Sequence, residues 1–179
     1  MNLIFKNYIH LNATQSNAIL NLRNLDYIRL NMQSSAPIPL ENHLQWIPTL
    51  HNNPCKEYFA LILDGVVVGS CSWVKNEANE ILWGIFFAQT IHPIVSSVSA
   101  YLFISYLFEE KKTAIIHSYV RKSNPLALKF NQHLGFSMDK DDEEFHYLSL
   151  TKNQWQENTQ SRFITSLKKY LGKIKYEFQ

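Results

Sequence analysis

The alternation of apolar and polar positions predicts a strand at the start of the chain. Apolar residues alternate with polar ones over residues 2–11, which is typical of a strand with one buried face. Thr14 follows as a candidate N-cap for a helix, and that helix carries Ile19, Leu20 and Leu22. The chain therefore opens with a predicted strand and helix.

A short helix and a hairpin are predicted next. Apolar residues recur at helical spacing from Leu40 to Leu50, and Pro54 ends that run. Two apolar runs, YFALIL and VVVGSCSWV, are joined by Asp64-Gly65, a dipeptide typical of two-residue hairpin turns. We expect two antiparallel strands here.

Three more strands and two helices are predicted in the second half of the chain. The strands are expected at Glu80–Ala88, Thr113–Val120 and Glu144–Leu150, and the helices at Pro93–Glu110 and Pro125–His133. The acidic run Asp139–Glu144 is interpreted as a solvated turn. From residue 153 to residue 179, an apolar stripe on a lysine-rich segment predicts one amphipathic basic helix.

One long uncharged stretch raises the question of a membrane span. Residues 81–108 contain no Asp, Glu, Lys or Arg, and a span needs about 20 mostly apolar residues. Gln89, Thr90, His92 and Pro93 interrupt the stretch near its middle. Since proline is well tolerated at the start of a helix, we expect a buried strand, a turn and a buried helix, with no transmembrane span.

Composition indicates one ordered domain and excludes several classes of partner. The chain has 179 residues, 46% hydrophobic and 18% charged, with a net charge of +2, too small for the concentrated basic face of a nucleic-acid binder. Cys55 and Cys71 are the only cysteines, and the seven histidines lack ligand spacing, so neither a metal site nor a disulfide framework is expected. The N-terminus lacks a basic start and a continuous apolar run, and we expect a cytoplasmic protein.

One segment resembles a known enzyme family. Asn124-Pro125-Leu126-Ala127, followed by Leu134-Gly135-Phe136, resembles the N-x-x-A…L-G-F segment of the GNAT N-acetyltransferases. The resemblance implies an α/β (α+β) fold with a mixed central sheet of about six or seven strands flanked by about four helices. The resemblance covers about residues 1–150, and we predict a domain at residues 1–152 with 153–179 as an appended helix. That helix packs on this domain or on a second subunit, so that a homodimer stays open.

Further segments resemble one subgroup, which N-acetylates nucleotide-linked 4-amino sugars in pseudaminic acid synthesis. They are Leu22-Arg23-Asn24, Met32, residues 43–47, Tyr58-Phe59 and Val68-Gly69. The resemblance implies acetyl-CoA as co-substrate and a small amine, such as a nucleotide-linked amino sugar, as acceptor. The acceptor residues it suggests are Arg23, Met32, Trp46 and Trp83, although packing is the simpler role of at least two of the large aromatic residues.

The segment that would bind the CoA phosphates departs from the family pattern. GNAT proteins have a Q/R-x-x-G-x-G/A loop, whereas residues 91–96 read Ile-His-Pro-Ile-Val-Ser. Without glycine, Ile94 would obstruct the close approach of backbone to phosphate. The resemblance assigns the cofactor to Ile85, Phe86, Phe87, His92, Ile94, Val95, Ser96, Ser97, Asn124 and Asn131, with hydroxyl donors from the serines and positive charge from protonated His92.

The catalytic residues of the family are also changed. Asn131 stands where many members have the tyrosine that protonates the leaving thiolate, and an amide cannot act as a general acid. Tyr119 occupies the position of a subgroup carboxylate, and we consider it as the acid. Ser72 aligns with a subgroup serine facing the amine, and His117 could draw a proton through water. Packing or simple hydrogen bonding is the alternative role for each of these three residues.

Three functions remain open at this point. The first is an N-acetyltransferase that uses acetyl-CoA. The second is a binding or scaffold protein that kept the fold and lost CoA turnover, as the missing glycines and Asn131 suggest. The third is an acyltransferase with a longer or carrier-bound acyl donor, which Phe86, Phe87 and Ile94 would suit and which the basic tail would help to recruit.

Overall fold

The computed structural model describes residues 1–78 and 80–179, and these fold as two compact units. The first unit comprises Met1–Val74, Gly84–Ile91 and Ile174–Gln179. The second comprises Lys75–Trp83 and His92–Lys173. The boundary that we predict at residue 152 separates the resembling domain from the C-terminal segment, whereas these two units are defined by their internal contacts. That boundary therefore stays a prediction.

The described residues contain eight strands and seven α-helices. The strands are β1 (Asn2–Asn7), β2 (Lys56–Leu63), β3 (Val66–Lys75), β4 (Ile81–Phe87), β5 (Ile115–Arg121), β6 (Ser137–Asp141), β7 (Phe145–Thr151) and β8 (Lys175–Phe178). The helices are α1 (Ala13–Arg23), α2 (Asp26–Arg29), α3 (Leu40–Trp46), α4 (Pro93–Glu109), α5 (Pro125–His133), α6 (Lys152–Asn158) and α7 (Arg162–Leu171). The mixed α/β fold class is confirmed, with more strands than expected.

The first unit is built on the predicted hairpin. Strands β2 and β3 pair antiparallel, and the turn residues Asp64 and Gly65 have φ angles of 47° and 88°, the left-handed conformation that a two-residue turn of this type requires. Strand β1 pairs antiparallel with β2 and parallel with β8. The hairpin prediction is therefore confirmed.

Helix α1 begins two residues earlier than the sequence predicted. Asn12, not Thr14, is the N-cap, because its side chain accepts a hydrogen bond from the Gln15 amide at 2.9 Å. The Gln15 side chain in turn accepts from the Asn12 amide at 3.2 Å. This reciprocal capping box satisfies two amides that the helix leaves unpaired.

The second unit carries the other strand pairs. Strand β4 pairs parallel with β5 at Ile81↔Ile116 and Leu82↔His117, and β5 pairs antiparallel with β7. Strand β6, which pairs antiparallel with β7, was not predicted. All five of its residues are exposed and three are charged, so the strand lacks an apolar alternation; such charges are common on edge strands because they discourage further pairing.

The long uncharged stretch divides as expected into strand β4 and helix α4. Ten residues of α4 are buried, among them Phe103 and Leu107. Among residues 1–78 and 80–179, the structure has no helix with the length and hydrophobicity that crossing a membrane requires.

The segment after residue 152 forms three elements where the sequence predicted one helix. Helix α6 packs on α4 through Trp155, whose ring lies 5.2 Å from that of Tyr101, and α7 also contacts α4 and buries Ile164 and Leu167. Gly172 follows α7, and strand β8 then joins the first unit. The last residues therefore complete a sheet, which a purely helical pattern does not reveal.

Candidate functional site

In the first unit, the end of strand β4 lies unusually close to β3. A side-chain carbon added at Gly69 would lie 2.5 Å from the Phe86 carbonyl oxygen and 3.1 Å from the Phe87 ring. The Ala88 amide donates to the Val68 carbonyl at 2.8 Å. Only glycine at position 69 therefore permits this path of the Phe86 and Phe87 backbone. These are two of the three residues whose backbone amides we consider as hydrogen-bond donors to the thioester oxygen.

Ser72 lies on β3, and its hydroxyl is directed toward β4. A side-chain carbon added at Gly84 would lie 3.3 Å from Ser72 Oγ. Gly84 immediately precedes Ile85, so Ser72 is close to the start of the Ile85–Phe87 segment. The structure thus brings together Ser72 and the predicted backbone candidates.

The predicted acceptor residues of the first unit are Arg23, Met32 and Trp46, and each has its own local contacts. Trp46 packs edge-on against Tyr58 at 4.8 Å and against Tyr8 at 6.1 Å, beside the buried core. Arg23 Nη2 donates to the Ser34 carbonyl at 3.0 Å, and Met32 is half-buried after α2. The ring contacts of Trp46 favour a packing role, while Arg23 orders the segment that follows Met32.

In the second unit, His92 caps helix α4 in a way that the sequence did not indicate. Its Nδ1 atom accepts a hydrogen bond from the Ile94 amide at 3.2 Å. An imidazole nitrogen that accepts a hydrogen bond uses its lone pair and carries no hydrogen of its own, so this contact does not fit the protonated His92 that we expected. The amides of Val95 and Ser96 donate to the His92 carbonyl at 2.8 and 3.3 Å, and a phosphate would compete with these bonds.

The serine hydroxyls at the start of α4 are also engaged. Ser96 and Ser97 both donate to the Pro93 carbonyl, at 2.9 and 2.8 Å, so their protons are not directed at a ligand as we expected. The Val95 side chain is buried, with 2% exposure, whereas Ile94 is half-buried. Of the predicted side chains at this helix end, His92 is exposed, Ile94 and Ser96 are half-buried, and Val95 and Ser97 are buried.

Helix α5 begins at Asn124, as the N-x-x-A segment predicted. Asn124 Oδ1 accepts from the Ala127 amide at 3.0 Å and so caps the helix. Asn131 is 5% exposed, and its Nδ2 donates to the Ala127 carbonyl at 2.9 Å. Its Oδ1 atom is buried and accepts no hydrogen bond from the described residues. This acceptor is left for a ligand or a water molecule.

Tyr119 and His117 lie on the partly exposed face of β5. Burial alternates along this strand, with Ile116, Ser118 and Val120 buried. Tyr119 lies opposite Tyr147 on β7, and its ring packs edge-on against Phe145 at 5.4 Å. This ring packing agrees with the alternative, structural role of Tyr119. Its role as the acid stays a prediction.

Glu80 adds a carboxylate beside His117. The His117 Nε2 and Glu80 Oε2 atoms are 3.4 Å apart, an ion-pair distance that is long for a hydrogen bond. Asn76 Nδ2 donates to Glu80 Oε2 at 3.0 Å. This hydrogen bond, and secondly the charge on His117, hold the pKa of the Glu80 carboxyl below its ordinary value.

Trp83 does not fit the acceptor role that we predicted. Its side chain is 4% exposed and stacks on Phe136 with the ring centroids 5.4 Å apart. We therefore remove Trp83 from the acceptor residues, because its ring is enclosed in the core of the second unit. Its buried Nε1 makes no hydrogen bond within residues 1–78 and 80–179.

Sequence reasoning missed Glu80, Asn76 and the role of Gly69. Glu80 lies 37 positions before His117, and only the register of β4 against β5 shows that they are neighbours. The Val-Gly pair on β3 was noted only as a resemblance. Glycine within a strand often marks a close approach of two backbones, and that signal was available.

Comparisons with known proteins agree with this fold. No protein-family model matches the chain. Acetyltransferase PseH of Campylobacter jejuni (serotype O:23/36, strain 81-176) is 27% identical over 148 residues, which cover 83% of this chain and 93% of that protein. PseH of C. jejuni serotype O:2 is 28% identical with the same coverage.

Solved structures give the same result. The crystal structure of C. jejuni N-acetyltransferase PseH in complex with acetyl coenzyme A has a TM-score of 0.68 and 26% identity, and the match covers 84% of this chain and 99% of that one. FdhC, a nucleotide-linked sugar GNAT, has a TM-score of 0.71 and 20% identity, covers 88% of this chain and 89% of that one, and supports the fold alone. The protein is an acyltransferase with the fold of the GNAT N-acetyltransferases. Within that class it resembles the PseH acetyltransferases.

Proposed function

We propose that the protein transfers an acetyl group from acetyl-CoA to the amine of a nucleotide-linked 4-amino sugar. The observation that carries the proposal is the likeness to PseH, which extends over 148 residues in sequence and over 84% of this chain in structure. A PseH structure contains acetyl coenzyme A. The segments resembling the amino-sugar subgroup support the class of acceptor.

The proposed reaction is a direct transfer within a complex of both substrates. The neutral amine attacks the thioester carbonyl carbon, a C–N bond forms, and the C–S bond breaks. The amine loses one proton to a base, and the CoA thiolate gains one. The residues required are a donor for the thioester oxygen, a base for the amine and a proton source for the sulfur.

We assign the backbone of Ile85, Phe86 and Phe87 two tasks. Its amides donate to the thioester oxygen, and its polar groups pair with the pantetheine arm. The close approach of β4 to Gly69 supports this, because it fixes the path of the Phe86 and Phe87 backbone. A preorganised amide stabilises developing oxygen charge without having to reorganise during the reaction. Ser72, near the start of this segment, is assigned to the amine.

The start of α4 is our assignment for the CoA pyrophosphate. His92, Ile94, Val95, Ser96 and Ser97 surround the first turn, and a helix N-terminus attracts anions. We propose that phosphate replaces the His92 ring as the acceptor for the Ile94 amide, which is now bound at 3.2 Å. Val95, whose side chain is buried, would contribute through its backbone only.

Helix α5 and strand β5 are assigned to the rest of the reaction. Asn124 caps α5 and so orders the helix beside the pantetheine arm. Asn131 presents an acceptor that makes no hydrogen bond within the described chain. Tyr119 is the candidate proton source for the thiolate and His117 the candidate base, while Arg23, Met32 and Trp46 are the candidates for the acceptor sugar nucleotide.

We also place the enzyme in the cytoplasm. Cys55 is exposed and Cys71 buried, and both are free, which suits a reducing compartment. A homodimer stays a prediction.

Calorimetric titration with acetyl-CoA, followed by a thiol-release assay with UDP-4-amino sugars, tests the proposal. Binding must also raise the apparent melting temperature, by an amount that grows with the logarithm of the ligand concentration above Kd. We expect micromolar binding and thiol release that depends on the amino sugar. UDP-sugars without a free amine are the matched control, and they should release no thiol above the rate of thioester hydrolysis.

Two other results would overturn it. Absence of binding at millimolar acetyl-CoA would favour a non-catalytic protein with a closed phosphate site. Turnover with longer acyl-CoA or with an acyl carrier, but not with acetyl-CoA, would favour a different donor.

A further inference from the structure

Three polar residues of the second unit form a chain of contacts that ends at the candidate base. Asn76 Nδ2 donates to Glu80 Oε2 at 3.0 Å, and Glu80 Oε2 lies 3.4 Å from His117 Nε2. Two more hydrogen bonds join Asn76 and Glu80. The Glu80 amide donates to the Asn76 side-chain oxygen Oδ1 at 2.8 Å, and the Asn76 amide donates to the Glu80 carbonyl at 2.9 Å. Glu80 is therefore held in place at both its backbone and its carboxylate.

The two ring nitrogens of His117 have different surroundings. The side chain as a whole is 27% exposed, yet Nε2 is shielded from solvent and makes no hydrogen bond within residues 1–78 and 80–179. The Glu80 carboxylate lies 3.4 Å from this nitrogen. Only Nδ1 can therefore face solvent or a bound water molecule.

We propose that Glu80 is a positioning residue that makes His117 the base of the acetyl transfer. A carboxylate beside Nε2 favours the tautomer with its proton on that nitrogen, which leaves the Nδ1 lone pair free to accept a proton. The same carboxylate stabilises the imidazolium that forms. This inference rests on the proposed function.

The proton balance is simple. The amine of the acceptor loses a proton to a water molecule as its lone pair attacks the thioester, and that water passes a proton to His117 Nδ1. His117 becomes an imidazolium paired with the Glu80 carboxylate, and it later releases the proton to solvent. Glu80 stays ionised throughout, as its lowered pKa requires.

Other groups that face His117 are consistent with this role. Ser149 lies opposite His117 on β7, and its hydroxyl donates to Asp139 on β6 at 2.7 Å. Tyr119 and Tyr147 follow along the same face. Asp139 is thus engaged by Ser149, and Glu80 is the carboxylate in ion-pair contact with the ring.

A double-mutant cycle in the intact protein tests the catalytic role. We expect Glu80→Gln to lower kcat by roughly 10-fold to 100-fold, and His117→Gln by about 100-fold or more, with the KM for acetyl-CoA unchanged. Adding Glu80→Gln to His117→Gln should cost little more, because the two act through one group. The Glu80→Gln loss should shrink at high pH, where hydroxide can take the amine proton in place of His117. Glu77→Gln, in the same loop, is the matched control and should retain wild-type kcat.

A second measurement does not depend on activity. Carbon-13 NMR titration of the Glu80 carboxyl should show a pKa below its ordinary value in the wild type, a partial rise in His117→Gln, and a larger rise in Asn76→Ala, since the Asn76 hydrogen bond is the larger cause. If the pKa of Glu80 is the same in His117→Gln as in the wild type, the two residues are not paired. Additive losses in the cycle, or a defect equal at all pH values, would reduce Glu80 to a structural residue.

Failure of the proposed function looks different. If the wild type acetylates no amine while the Glu80 titration still responds to His117, the pair exists and the catalytic assignment is wrong.

Discussion

Gly69 shows how one residue determines the path of a neighbouring strand. A side-chain carbon at this position would approach the Phe86 carbonyl to 2.5 Å, closer than real contacts of this kind. We expect Gly69→Ala to lower the free energy of unfolding by about 1–3 kcal/mol, because backbone must move to relieve the overlap. Since the displaced backbone is our assignment for the thioester, the KM for acetyl-CoA should also rise. Urea unfolding and steady-state kinetics measure the two effects.

Gly172→Ala is the matched control for that substitution. Gly172 follows α7 with φ −63°, and an added carbon would meet nothing within 4 Å. Alanine should there be neutral or stabilising by about 0.4–1 kcal/mol, because it restricts the unfolded chain. Equal stability of the two variants would show that β4 adjusts to Gly69→Ala at no cost.

Residue types at the candidate site were predictable, but their partners were not. His92 and Asn124 were singled out from the sequence, and both prove to be helix caps. Whether an imidazole accepts or donates a hydrogen bond depends on atoms within about 3 Å, and sequence spacing does not report such distances. For the same reason Glu80 could not be linked to His117 before the register of β4 and β5 was known.

At the scale of elements, strong local signals predicted what formed. The Asp-Gly hairpin, helix α4 and helix α5 agree with the structure because turn chemistry, apolar runs and a capping Asn act over a few residues. Strand β6 was missed because it is short and polar, although its partner β7 is close in the chain. Strand β8 was missed because it has only four residues and pairs with the distant strand β1. Edge strands of this kind depend on tertiary pairing more than on their own pattern.

Strand β8 is expected to stabilise the first unit mainly through one aromatic ring. Phe178 stacks on Phe5 with the ring centroids 4.3 Å apart and packs edge-on against Phe59 at 5.7 Å. We expect Phe178→Ala to lower the free energy of unfolding by about 1–2 kcal/mol, because it loses half-buried apolar area and two ring contacts. Chemical denaturation followed by tryptophan fluorescence provides the measurement.

Glu177→Ala distinguishes this effect from fraying of the terminus. Glu177 is the adjacent residue of β8 and is exposed, so its replacement should change stability by less than about 0.5 kcal/mol. If Phe178→Ala were equally mild, β8 would not contribute to the folded state in solution.

At the scale of the whole molecule, a buried histidine links stability to pH. His43 is 4% exposed, with Nε2 3.1 Å from Ser16 Oγ and its ring packed near Trp46. Burial lowers the pKa of His43, and the Ser16 hydrogen bond only partly opposes this. Below the ordinary value of 6.5 the unfolded chain therefore binds a proton that the folded chain does not. The stabilisation is complete above that pH and is lost as the pH falls through this window.

We therefore expect the free energy of unfolding to fall between pH 7.5 and pH 5, and His43→Gln to reduce that fall. Glutamine can still bond to Ser16 but cannot titrate, so the variant should be less stable than wild type at pH 7.5, and the gap should narrow at pH 5. Urea unfolding of both proteins at the two pH values measures the gap. His51→Gln, which removes an exposed imidazole, is the control for losing a histidine. A gap between wild type and His43→Gln that stays constant with pH would mean that His43 does not titrate differently in the folded chain, and the acid sensitivity would then have to come from other groups.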